Sequence, residues 1–189
     1  MIYTGNLLIG RSFAVEDVAA AIRKINEKQS KIVLDIYTDT PLSLKQQKAL
    51  NSGACTLHGA VPKDEVEKLQ SEADILLFVE SLKKGYSMKA RLSFSTKLTD
   101  YFAAGKCIFA VGDREIAPIR HLEDNDAAIT AGEQSEILNK LTRLCDNGEM
   151  INIYAKKAFE CGKNNHESEK MKKIFIDTFS AAAEKQNKE

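Results

Sequence analysis

The stretch RLSFSTKLTDYFAAG at residues 91–105 carries the densest set of groups able to hold an anion. Ser95, Thr96 and Lys97 fall at the expected first turn of a helix that runs through residues 98–104 and closes at Gly105. The free N–H groups and positive dipole end of such a turn attract negative charge. Two hydroxyls add donors and the lysine adds a full charge, a combination that suits a diphosphate. Asp100 lies one turn further on and shares the face of Thr96 and Lys97. Its carboxylate there would accept from the two hydroxyls of a ribose. Plainer uses exist for the same residues, with Ser95 as a helix cap and Asp100 as an ion-pair partner of Lys97.

Other candidates sit at turns after apolar runs. Gly5-Asn6 ends the first such run, and Arg11 follows. The glycine lets backbone approach a phosphate closely, and an arginine can fork onto one with two hydrogen bonds. Neither a GxGxxG fingerprint nor a GxxxxGK[ST] loop occurs, so a nicotinamide or flavin dinucleotide and a P-loop triphosphate are not supported. Glu80 closes the run ADILLFV, where it would bind a sugar hydroxyl, orient a lysine or solvate a strand end. His58 is a candidate wall for a base pocket, while His121 and His166 read as surface residues. The four cysteines, Cys55, Cys107, Cys145 and Cys161, form no CxxC pair and no metal-like spacing with histidine. No Ser/His/Asp or Cys/His grouping assembles, so no catalytic residue, metal or cofactor is expected.

The elements that must position these groups follow from the apolar pattern. Residues 2–4, 31–37, 54–58, 73–79, 107–111 and 127–130 read as strands, and the nearly unbroken apolar runs at 73–79 and 107–111 read as strands covered on both faces. Residues 13–28, 44–51, 62–71 and 98–104 have helical spacing or helix-start signals, whereas 81–94 reads as a polar, basic connection. Residues 133–145, 150–161 and 168–185 read as three further helices, with a frayed charged tail at 184–189. Alternating strands and helices predict an α/β, Rossmann-like parallel sheet of about six strands flanked by helices, with a helical C-terminal segment. Ligands of such sheets bind beyond the carboxyl ends of the strands, where the candidate turns lie.

Composition narrows the class. With 27 Lys+Arg against 27 Asp+Glu, the 189-residue chain lacks the cationic surplus of a general nucleic-acid binder. Scattered free cysteines fit a reducing, cytoplasmic setting. The chain opens directly on an apolar strand, which leads us to expect a piece cut from a longer protein.

The order YTGNL, a helix, IVLDIYTD, LHGAVPKDEVEKLQSEADILLFVES and FSTKLTDYFAAGKCIFAVG resembles the C-terminal domain of group 1 (family 4) glycosyltransferases, which have the two-Rossmann-domain architecture called GT-B. The similarity spans roughly residues 2 to 165, strongest at STKLTDYFAAGKCIFAVG. It implies the donor-binding half of an enzyme that moves a sugar from a UDP- or GDP-type nucleotide sugar to a glycan or other acceptor, as in cell-surface polysaccharide synthesis, with retention of configuration. The nucleotide sugar is then substrate rather than cofactor. Asp100 takes the place of the family's ribose-binding glutamate, and Asn6 stands where many members carry a phosphate-binding arginine, with Arg11 where a lysine follows. Leu92 stands where the family's first glutamate of its E-x7-E pair would contact the donor sugar, leaving that contact to Glu80 or to main chain near Phe94, Ser95 and Thr96. The base is expected against the turns at Thr38 and at Gly59 to Val61. Residues 1–165 would form the nucleotide-sugar domain and 166–189 a helix crossing to a missing N-terminal acceptor domain. Membrane contact, peripheral if present, would belong to the full-length enzyme. The competing readings are a nucleotide-sugar epimerase-like domain and a non-catalytic nucleotide- or protein-binding module.

Overall fold

A computed structural model describes residues 1–27 and 29–186. Six strands form one all-parallel sheet: β1 (Ile2–Thr4), β2 (Leu34–Tyr37), β3 (Cys55–His58), β4 (Ile75–Val79), β5 (Cys107–Val111) and β6 (Ile129–Ala131). Their order across the sheet is β3-β2-β1-β4-β5-β6, so the winding reverses between β1 and β4. The α/β Rossmann-like expectation holds, with about six strands met by six.

The helices are α1 (Arg11–Ile25), α2 (Leu44–Leu50), α3 (Lys63–Glu72), α4 (Lys84–Ala90), α5 (Lys97–Ala104), α6 (Ala117–Asp124), α7 (Gln134–Asp146), α8 (Glu149–Asn165) and α9 (Ser168–Gln186). Period-two alternation splits the strand residues between two cores. On one face Tyr3, Leu34, Ile36, Leu77 and Phe109 meet Val15, Val18 and Ile22 of α1 and Leu141 and Leu144 of α7. On the other, Ile2, Leu76, Phe78 and Ile108 meet Tyr101 and Phe102 of α5, Ile119 and Leu122 of α6 and Ala158 of α8. Each fully buried side chain of this kind contributes about 1.5–3 kcal/mol.

Several boundaries move, each for a local reason. Residues 31–33 stay outside β2 because Asn26 holds them: its Nδ2 donates to the Ile32 carbonyl at 2.7 Å and its Oδ1 accepts from Lys31 N at 2.9 Å. β4 begins only at Ile75, since the N–H of Ala73 still donates to Leu69 of α3. The expected connection at 81–94 contains α4, opened where the Ser81 hydroxyl accepts from Lys83 N. α6 was not expected; Pro118 sits in its first turn, where a missing N–H costs nothing. The strand expected at 127–130 lies at Ile129–Ala131. The end of the helix expected over 13–28 and positions 187–189 of the charged tail lie outside the described residues. α8 packs on α5 and β5. α9 instead leaves large apolar groups in solvent, with Phe175 62%, Ile176 61% and Phe179 62% exposed.

Candidate functional site

The carboxyl ends of β1, β2 and β4 converge at the reversal of strand order. β1 runs out at Gly5, whose φ of 132° lies outside the range a side chain accepts readily and whose N–H donates to the Tyr37 carbonyl at 3.0 Å. The loop beyond is tied down at two points: Leu7 N donates to Thr40 Oγ1 at 2.9 Å and Leu8 N to Asn6 Oδ1 at 3.3 Å. Ile9 (φ 54°) and Gly10 (φ 78°) then turn the chain through two left-handed residues into α1. A Cβ at Gly10 would lie 2.6 Å from Ser81 Oγ, so the turn is wedged against the segment that follows β4.

That turn delivers Arg11 as the first residue of α1. Its Nε and Nη2 donate to the two carboxylate oxygens of Glu80 at 3.1 and 3.0 Å, and its Nη1 donates to Asn6 Oδ1 at 2.9 Å. Glu80 is only 3% exposed. The sequence left Glu80 to bind a sugar hydroxyl, orient a lysine or solvate a strand end; in the structure both of its oxygens hold an arginine instead. The fork uses both carboxylate oxygens, and three of the five N–H groups on the guanidinium are committed.

Lys97, at the start of α5, reaches across the same space. Its Nζ stands 4.5 Å above the centre of the Tyr3 ring, and a Cβ built on Gly5 would lie 2.4 Å from it. Glycine at position 5 is thus what admits the lysine. Among the described residues Lys97 forms no ion pair, with Asp100 or with any other carboxylate. Burial lowers its pKa to about 8, helped by the neighbouring Arg11 charge and opposed by Glu80. An ammonium placed this way, short of acceptors beside a glycine turn, is built to meet an anion.

The remaining expected residues divide. The helix cap falls on Thr96, without a side-chain capping bond, so Ser95 does not fill the capping role. The N–H groups of Leu98 and Thr99 already donate to the carbonyls of Ser95 and Thr96, both at 3.1 Å, leaving the earlier part of the turn for a ligand. Asp100 is exposed on the first turn of α5. A cleft of about 310 Å³ is lined by Thr4, Gly5, Asn6, Tyr37, Thr38, Asp39, Ala60, Val61 and Val66, which brings together the expected Gly5, Asn6, Thr38 and Val61. Gly59 is exposed and lies outside that lining. The Phe94 side chain turns elsewhere, its ring 5.4 Å from that of His121 and 5.5 Å from that of His166. His121 and His166 are therefore packed residues, with Nε2 atoms 3.0 Å apart, rather than free surface groups.

Sequence reasoning marked the Thr38-Asp39 turn and passed over Tyr3 and Tyr37. Tyr3 and Tyr37 sat inside apolar strands and looked like core. Tyr3 indeed is, yet the face of its ring carries Lys97. Tyr37 stacks on His58 at 4.4 Å, and His58 Nε2 lies 2.8 Å from Asp35 Oδ1. His58 thus supports a cleft wall without lining the cleft. Among the described residues no group of three or more His, Cys, Asp or Glu side chains could hold a metal ion.

No protein-family profile matches the chain, and no curated protein matches it by sequence. Solved structures match well. One is WaaG, a glycosyltransferase involved in lipopolysaccharide biosynthesis, at TM-score 0.62 and 11% identity, covering 87% of this chain and 43% of that one. A second is the C-terminal domain of LpcC, a group 1 family glycosyl transferase from Francisella tularensis, at 0.64 and 12%, covering 88% and 85%. A third is an α,α-trehalose-phosphate synthase (UDP-forming) from Burkholderia vietnamiensis, at 0.66 and 9%, covering 98% and 44%. The chain spans less than half the length of the first and third. At these identities the likeness speaks to the fold: it is that of the C-terminal domain of GT-B glycosyltransferases.

Proposed function

We propose that this chain is the donor-binding half of a glycosyltransferase, taking a nucleoside diphosphate sugar of the UDP or GDP type. The observation that carries the reading is the ammonium of Lys97, which forms no ion pair among the described residues and is turned over Gly5 at the carboxyl end of β1. In this reading the diphosphate lies between Lys97, the Gly5–Asn6 turn and the start of α5 at Ser95 and Thr96. Asn6 keeps its Nδ2 for the ligand because its Oδ1 is engaged by Leu8 N and Arg11. Asp100 takes the ribose, and Thr38 and Val61 border the base in the 310 Å³ cleft.

The chemistry is displacement of the nucleoside diphosphate at the anomeric carbon. The contribution of this half is to hold charge that builds on the departing diphosphate, and fixed donors in a partly dry site do this without reorganising. Glu80 is withdrawn from the sugar by its fork with Arg11, so the sugar contact falls to main chain near Phe94–Thr96. The acceptor and the remaining catalytic groups belong to a second domain, and the exposed apolar side chains of α9 are the surface we assign to its docking. The setting we propose is cytoplasmic.

Thermal unfolding with UDP, GDP, ADP and their sugar conjugates tests the reading. A nucleotide at about a hundred times its dissociation constant stabilises the folded chain by roughly 2.7 kcal/mol. A base-specific rise is expected, abolished by Lys97→Ala and reduced by Asp100→Ala. A chain indifferent to every nucleotide at millimolar concentration would refute it.

A further inference from the structure

We propose that Lys97 is a proton-coupled anchor, neutralised in part when the site is empty and fully charged when a diphosphate occupies it, and that Glu80 is a positioning residue that sets this coupling by holding Arg11. The inference rests on the donor-site reading above and adds to it how the site is switched.

Among the described residues, the groups that act on the Lys97 ammonium come from β1, α1 and the end of β4. From β1 it meets the face of the Tyr3 ring and the backbone of Gly5. Arg11, the first residue of α1, is a like charge held beside the same turn by Asn6 and Glu80, and its field and that of Glu80 at the end of β4 both act on the ammonium. On its own helix Asp100 faces solvent and forms no pair with it. Glu80 is the only carboxylate of this set near the lysine, and both of its oxygens are taken by Arg11. The half-buried ammonium therefore has one cation near it and one already engaged anion, which favours the neutral amine and outweighs the pull of the Tyr3 ring on the charged form. Its pKa of about 8 agrees with that arrangement. A diphosphate laid against Gly5 would bring two or more negative charges to the amine and draw a proton onto it. Binding then takes up a proton from solvent at alkaline pH, and release returns it.

Arg11 behaves differently. Its charge is permanent, and its fork with Glu80 fixes its direction. It contributes a constant field at the cleft, while Lys97 contributes a variable one.

The test is calorimetric titration of this chain with UDP and GDP at about pH 7, 8 and 9, each in two buffers of different ionisation enthalpy. With a free-site pKa of about 8, affinity should fall about tenfold between about pH 7 and pH 9, with about half a proton taken up per ligand near pH 8. Lys97→Arg, which stays protonated, should bind with that pH dependence removed, which also corrects for titration of the nucleotide itself. Glu80→Gln removes the one anion that favours the ammonium and should move the midpoint to lower pH. Wild-type affinity constant within about twofold over this range, or an equal slope in Lys97→Arg, overturns the inference while leaving the donor reading intact. Absence of binding at every pH removes both.

Discussion

Arg11 and Glu80 make a contact that is expensive to break from one side. Glu80 sits at the end of β4 with its carboxylate enclosed, so Arg11→Ala leaves a buried charge without its partner. A loss of about 3–5 kcal/mol in urea unfolding is expected, largely recovered when Glu80→Leu is added. Across the sheet, Glu136 accepts from Arg114 at 2.8 Å and from Gly132 N at 2.7 Å. Partial burial would raise its carboxyl, but the bonds from Arg114, Gly132 and Lys140 outweigh it and hold the pKa down to about 2. A depressed carboxyl contributes its stability above the unfolded value and loses it as pH falls toward about 2. Glu136→Gln should thus cost about 1–2 kcal/mol at neutral pH, a partly solvated charged hydrogen bond, and almost nothing in acid melts near pH 2. Sequence pointed to Lys97, Gly5 and Asn6 as neighbours of a ligand because residue type and turn position are local facts. It could not show that Lys97 leans on Tyr3, or that Glu80 faces Arg11, since both contacts join positions 69 or more apart and depend on the sheet order.

The turn into α1 governs what that helix presents. Gly10→Ala places a Cβ against Ser81 and Tyr86 in a left-handed conformation, and a loss of about 1–3 kcal/mol is expected together with displacement of Arg11. Ile9 holds a β-branched side chain at φ 54° with only about half of it covered (45% exposed), so relief of backbone strain should offset the lost packing and Ile9→Gly should leave the melting temperature unchanged or raise it. The buried strands were the most legible elements: ILLFV and CIFAV are apolar at every position because helices cover both faces. α4 and α6 escaped because they are short and their signals are weak. Lys83–Lys84–Gly85 looks like a turn, and Ala117-Pro118 opens a helix whose apolar face holds only Pro118, Ile119 and Leu122. Tertiary support decides such segments, as when Ala117 N donates to the Arg91 carbonyl at 2.9 Å.

At the scale of the molecule, the sheet and α1 to α8 make up the packed body, while α9 carries a run of exposed apolar residues from Met171 to Phe179. A chain ending at Glu167 should therefore melt within about 2 °C of the longer one, measured by calorimetry, because little buried surface is lost. β1, placed at the middle of the sheet, finds its first neighbour in β2 but its second only in β4 at Ile75–Val79. During synthesis this has a cost. Until the chain has grown through Val79, β1 presents an open, apolar edge that any other strand could join. A nascent chain halted before that point is a sticky one, and the pace at which residues 5–79 are made sets how long it stays so.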